Sequence, residues 1–134
     1  MLRNFAAGLA AALCFAMPAA QAAEGDNDPK IVKAAEGLAG VYIFDVKGGG
    51  NGLCLMKLEA SGSYNQFEAW LSGGCESSFG FLSVLSGWEP IGTKGIKLIG
   101  AEGSTMGEFK PAGGGYEAVV ENDGQTYTLT RPTP

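Results

Sequence analysis

LCLMKLEASGSYNQFEAWLSGGC, running from Leu53 to Cys75, alternates with a period of two on both sides of a polar break. Over residues 53–60, Cys54, Met56 and Leu58 share one face while Leu55, Lys57 and Glu59 take the other. Over residues 66–72, Phe67, Ala69 and Leu71 oppose Glu68, Trp70 and Ser72. Successive side chains of a strand point to opposite faces of the sheet, so the pattern predicts two half-buried strands joined by a turn at Ser61-Gly62-Ser63. Cys54 falls on the inner face, and Trp70 faces outward.

The same alternation extends along the chain. VYIFDVK at residues 41–47 places Tyr42, Phe44 and Val46 on one face and Ile43, Asp45 and Lys47 on the other, ahead of the turn-forming run Gly48-Gly49-Gly50-Asn51-Gly52. Four further strands are expected at residues 96–100, 105–110, 116–121 and 126–131. They are separated by Glu102-Gly103-Ser104, residues 111–114 and Asn122-Asp123-Gly124. FGFLSVL at residues 79–85 suits a short helix or an irregular apolar crossover, closed by Gly87-Trp88-Glu89-Pro90. Seven or eight short strands joined by short turns predict an all-β fold. A small eight-stranded antiparallel up-and-down barrel removes exposed edges; a sandwich is the second choice. Ahead of it, Ile31, Ala34, Ala35 and Leu38 are spaced for a short N-terminal helix of about two turns. The 22 glycines of this 134-residue chain therefore read as punctuation between strands.

The N-terminus reads differently. Arg3 precedes an apolar run ending near Met17, too short to span a bilayer, and Ala20-Gln21-Ala22 presents small residues at a cleavage site. Residues 1–22 are expected to be a secretory signal peptide, residues 23–30 a flexible acidic arm, and residues 31–134 the barrel domain. Cys14 follows Leu13 within the apolar run, which does not fit lipoprotein processing. Its removal leaves Cys54 and Cys75 as an even pair in an oxidising compartment. One structural disulfide is expected, because no CxxC spacing argues for redox work.

Composition excludes several functions. Without histidine, no Ser/His/Asp or Cys/His catalytic group can be assembled and no histidine metal site exists, so an enzyme is not expected. With 9 basic against 14 acidic side chains, the chain repels nucleic acid and anionic lipid headgroups, and neither nucleic-acid binding nor membrane insertion is expected. Glu117, Glu121 and Asp123 read as solvated outward carboxylates rather than an acid–base pair. Asp26 and Asp28 lack the glycine and distal glutamate of a calcium loop. Neither a cofactor nor a metal of its own is implied. Tyr42, Phe67, Trp88, Phe109 and Tyr116 read as core more readily than as the lining of a ligand cavity, and Trp70 is the aromatic left as a candidate contact residue.

These features together resemble the Inh family of bacterial protease inhibitors. The matching residues are Gly40-Val41-Tyr42, Cys54-x-Met56-x-Leu58, Phe67-x-Ala69-x-Leu71 before Cys75, Gly87-Trp88-x-Pro90 and Gly95-Ile96-x-Leu98. Gly103, Phe109, Tyr116 and Leu129 complete a span from about Leu38 to Arg131. The resemblance implies an eight-stranded barrel with one disulfide, working in the periplasm as a monomer against a secreted zinc metalloprotease of the serralysin type. It also implies that the mature arm, here Ala23, Glu24, Gly25, Asp26 and Asn27, enters the substrate cleft with the Ala23 α-amino group at the enzyme's zinc. A small-ligand-binding barrel and a non-inhibitory envelope interaction module are the alternatives. Two departures stand out: the segment before Gly40 is longer and more acidic than the family's, and Tyr42 occupies a position where tryptophan is usual.

Overall fold

The computed structural model describes residues 27–49, 54–120 and 124–132. The expected signal peptide, Ala23, Glu24, Gly25 and Asp26 of the expected arm, and Glu121 and Asp123 lie outside the described residues. The described elements are α1 (Pro29–Leu38), β1 (Gly40–Val46), β2 (Cys54–Ser63), β3 (Gln66–Leu71), α2 (Cys75–Ser78), a 3-10 segment (Gly80–Val84), β4 (Gly87–Ile91) and β5 (Gly95–Ile99). A second 3-10 segment (Ala101–Gly103), β6 (Thr105–Ala112), β7 (Gly115–Val119) and β8 (Thr126–Thr130) follow. The eight strands pair in chain order and antiparallel, and β8 returns to β1 through Ile43–Thr130 and Val46–Tyr127 to close the barrel.

Alternation places the core where the sequence predicts it. Tyr42, Phe44, Cys54, Met56, Leu58 and Phe67 are all at most 1% exposed. Trp88, Ile96, Leu98, Phe109 and Leu129 join them from β4, β5, β6 and β8. These side chains occupy the interior, so Tyr42, Phe67, Trp88 and Phe109 act as packing residues rather than as the walls of a ligand cavity. The ring of Phe44 stacks on Tyr127 with centroids 5.2 Å apart. The buried Trp88 indole donates to the Glu59 carbonyl at 3.0 Å, which removes the cost of an unpaired N–H in the core.

Three local departures from the sequence reading have physical causes. Helix α1 begins at Pro29, earlier than the apolar spacing predicts, because the Asp28 carboxylate caps it by accepting from the Lys30 N–H at 2.9 Å and Pro29 has the φ of a first helical residue. Within residues 79–85, Gly80–Val84 forms a 3-10 turn, and the eighth strand is instead Gly87–Ile91, which includes Pro90. Proline is tolerated there because β3 and β4 are bridged, among the described residues, only at Phe67 and Trp88, so its missing N–H leaves that seam intact. Asp45, outward by parity, is nevertheless buried: its carboxylate accepts from the Val46 N–H at 2.8 Å beneath the turn at Gly49.

The helix is fastened to the barrel at both ends of the chain. Ala35 and Leu38 are buried, and the Tyr42 hydroxyl donates to the Leu38 carbonyl at the end of α1. Arg131, just beyond β8, lays its guanidinium 4.4 Å from the centre of the Tyr42 ring and donates to the Ala39 carbonyl at 3.3 Å. Gly40, at φ 145°, leaves the space that this guanidinium fills; a Cβ would collide with it. Burial pushes the Tyr42 hydroxyl up to about 12.

Candidate functional site

The site of interest is assembled where the arm meets the barrel. The register of β2 against β3 shifts between Leu58 and Gly62, a bulge that carries β2 on to Ser63 and moves the turn from residues 61–63 to Tyr64 and Asn65. Ser63 pairs with Gln66, and both intervening residues have positive φ, 54° for Tyr64 and 63° for Asn65, the requirement of a type I′ hairpin turn. Asparagine enters the left-handed region readily; tyrosine does not. Gly62 is equally constrained, since a Cβ there would run into the Gln66 carbonyl.

Asn27 and Asp28 are hydrogen-bonded to this turn. The Asn27 carboxamide donates through Nδ2 to the Gly62 carbonyl at 2.9 Å and accepts from the Asn65 backbone N–H at 2.7 Å. The Asn65 carboxamide in return accepts from the Asp28 N–H at 2.7 Å. Three hydrogen bonds, spanning 35 to 38 residues of sequence, thus latch the root of the arm to the end of a barrel hairpin. Asp28 then caps α1, so the latch, the helix and the hairpin form one unit.

Two grooves flank the hairpin. One, of about 760 Å³, runs between Pro29, Val32 and Glu36 of α1 and Ala60, Ser61 and Ser63 of β2. The other, of about 420 Å³, lies on the far side against Phe67, Glu68 and Ser86. Tyr64 lines the second of these and is 75% exposed.

Of the residues singled out from sequence, Asn27 belongs to this unit and Trp70 does not. Trp70 lies on β3 opposite Lys57, about 17 Å along the strand from the turn. It is 57% exposed on the outer face. Its indole donates to Glu59 Oε1 at 3.2 Å, and the same carboxylate pairs with Lys57 Nζ at 3.0 Å. These hydrogen bonds, from Lys57 first and Trp70 second, hold the Glu59 carboxyl below its usual range. Glu117 faces outward and pairs with Lys47 at 3.2 Å. Cys54 and Cys75 form the expected disulfide, both fully buried, with Cα atoms 4.5 Å apart. It joins the start of β2 to α2.

Tyr64, Asn65 and Gly62 were not among the sequence candidates. The signal for the turn was present in Asn65, whose tolerance of the left-handed region marks a hairpin centre better than Gly62 does. Nothing local signals its pairing with Asn27. Among the described residues, no three His, Cys, Asp or Glu side chains gather as a metal site, and no helix is long and apolar enough to cross a membrane.

The model of the family described as protease inhibitor Inh matches residues 33–131, well over half of the chain. A solved structure described as the crystal structure of a psychrophilic marine protease MP inhibitor is similar at a TM-score of 0.53 and 23% sequence identity. The match covers 74% of this chain and 99% of that one. At that identity the likeness speaks for the fold alone. No curated protein matches the chain. The closed eight-stranded barrel, the Cys54–Cys75 disulfide and the family match over residues 33–131 agree, and the chain belongs to the Inh family of protease inhibitors.

Proposed function

We propose that the mature protein is a periplasmic inhibitor of a secreted zinc metalloprotease of the serralysin type, blocking the cleft with its N-terminal arm. The observation that carries this reading is the latch: Asn27 and Asp28 are fixed to the barrel, so whatever precedes them departs from a defined point on a rigid body. An inhibitor needs such an anchor, because an arm held at its root loses less conformational freedom on entering a cleft than a free tail does.

The chemistry at the tip follows from signal cleavage after Ala22. Cleavage gives Ala23 a free α-amino group with a pKa near 8, which can give up a proton and donate its lone pair to the enzyme's zinc. The zinc and its ligands belong to the protease, so a chain without histidine is no obstacle. Glu24 and Asp26 would line the same path, and the barrel would contribute contact area around it.

The test is a truncation that stops at Asp26, because Asn27 and Asp28 hold the latch and the helix cap. Removal of Ala23 to Asp26 from the mature protein should abolish inhibition of a serralysin-type protease while leaving the thermal unfolding of the barrel within about 2 °C of the parent. Full inhibition by the truncated protein would refute arm insertion. A parallel panel of zinc and serine proteases tests the target class, and mass spectrometry of protein recovered from the periplasm tests Ala23 as the N-terminus.

A further inference from the structure

Tyr64 is an exposed aromatic in a backbone conformation that bulky side chains disfavour. At φ 54° in the first central position of a type I′ turn, asparagine, aspartate or glycine would serve the hairpin better. Its ring adds nothing to the core, being 75% exposed. Strain of this kind, maintained by well-formed surroundings, points to a use outside the fold.

The position of the turn supplies that use. Ala23 lies four residues before Asn27, and four residues of extended chain span about 14 Å. If the Ala23 amine reaches a zinc ion at the bottom of a cleft, the latch must sit within that distance of the metal. Asn65 is part of the latch and Tyr64 is its chain neighbour. A short arm therefore draws the β2–β3 turn against the protease.

From this we propose that the β2–β3 turn is a second contact surface for the same protease, with Tyr64 as its anchor residue, and that the Asn27–Asn65 latch holds the turn and the arm root in one fixed relation. The inference rests on the arm-insertion reading above. Tyrosine suits the task because it offers a large, rigid, amphipathic surface with few rotatable bonds to immobilise. The grooves on either side of the hairpin leave room for side chains of the cleft rim. Arm and turn then bind as one preorganised unit rather than as two independent segments.

Tyr64→Asn is the informative variant, since asparagine favours the left-handed conformation and keeps the turn while removing the ring. The mature variant should inhibit a serralysin-type zinc metalloprotease about tenfold less strongly or worse, chiefly through faster dissociation, with a thermal midpoint equal to or above that of the parent. Inhibition within about twofold of the parent would overturn the proposal. The deletion of Ala23 to Asp26 is measured alongside. If that deletion leaves inhibition intact, the insertion reading fails and takes this inference with it. If deletion abolishes inhibition while Tyr64→Asn is neutral, only the role of the turn is overturned.

Discussion

Asn65 performs two functions that substitution can separate. Its backbone adopts φ 63°, and its carboxamide accepts the Asp28 N–H at 2.7 Å. Glycine retains the first and loses the second; alanine loses both. The Asp28 amide is exposed, so water replaces its lost acceptor, and Asn65→Gly should cost about 0.5–1 kcal/mol. Asn65→Ala also keeps a Cβ in the left-handed region without the short polar side chain that lets asparagine tolerate it, about 1 kcal/mol more, for a total near 2 kcal/mol. For a domain of this size those values correspond to thermal midpoints lower by about 3–6 °C and about 10 °C respectively. Circular dichroism melts of the three mature proteins measure the difference, and amide exchange locates it. The Asp28 amide should lose protection in both variants, while the Ile31 and Val32 amides, which donate to the Asp28 carbonyl at 2.9 Å, should keep theirs. If glycine and alanine prove equally destabilising, the left-handed turn is not what Asn65 supplies. If the Asp28 amide stays protected in Asn65→Gly, the latch is wrong.

Two further predictions concern the barrel itself. The disulfide closes a loop of sequence separation 21, which on the chain-entropy relation stabilises the fold by about 3 kcal/mol. Cys54→Ala with Cys75→Ala should therefore lower the thermal midpoint by more than about 12 °C, and a drop below about 5 °C would count against a major stabilising role. The Tyr42 hydroxyl, raised to about 12 in the folded protein by burial, ionises more easily when unfolded, near the ordinary tyrosine value of 10.0. Its neutral form is thus favoured by folding, so the contribution is complete below pH 10 and is lost as pH rises from 10 toward 12. Urea midpoints should fall across that window in the parent and fall less steeply in Tyr42→Phe; parallel curves would refute the assignment.

Alternation made most of the barrel legible. Cys54, Met56, Leu58 and Phe67 were assigned inward from parity and are buried, because a sheet with one face in the core sorts side chains at a period of two whatever the tertiary detail. The failures lie where a local rule met a non-local one. Gly87-Trp88-Glu89-Pro90 reads as the close of an apolar crossover, yet it opens strand β4, because the seam between β3 and β4 makes little demand on the missing N–H of Pro90. The Gly62 signal drew the turn a few residues early, because a glycine needed for close approach in a bulge looks the same in sequence as a glycine needed for a turn. Trp70 was read as outward from the same parity and is exposed, but parity says nothing about what meets it.

The arm root shows the limit most clearly. In sequence, Asn27 and Asp28 belong to a polar, turn-rich segment whose composition predicts flexibility, and Asn65 is an ordinary hairpin residue. Each can be explained locally, and no local rule joins them. They meet because the bulge in β2 carries the hairpin to the start of α1 and leaves the Gly62 carbonyl to accept from Asn27. That encounter alters the function proposed for the acidic segment. Asp28 is a helix cap and latch member, which removes it from the group of acids available to a protease cleft and leaves Glu24 and Asp26. It also leaves four residues between the latch and the proposed amine at Ala23, so that on the insertion reading the position of the amine becomes a consequence of the position of the hairpin. Lengthening the segment between Ala23 and Asn27 should then weaken inhibition as surely as deleting it, because a longer free arm no longer brings the turn to the cleft.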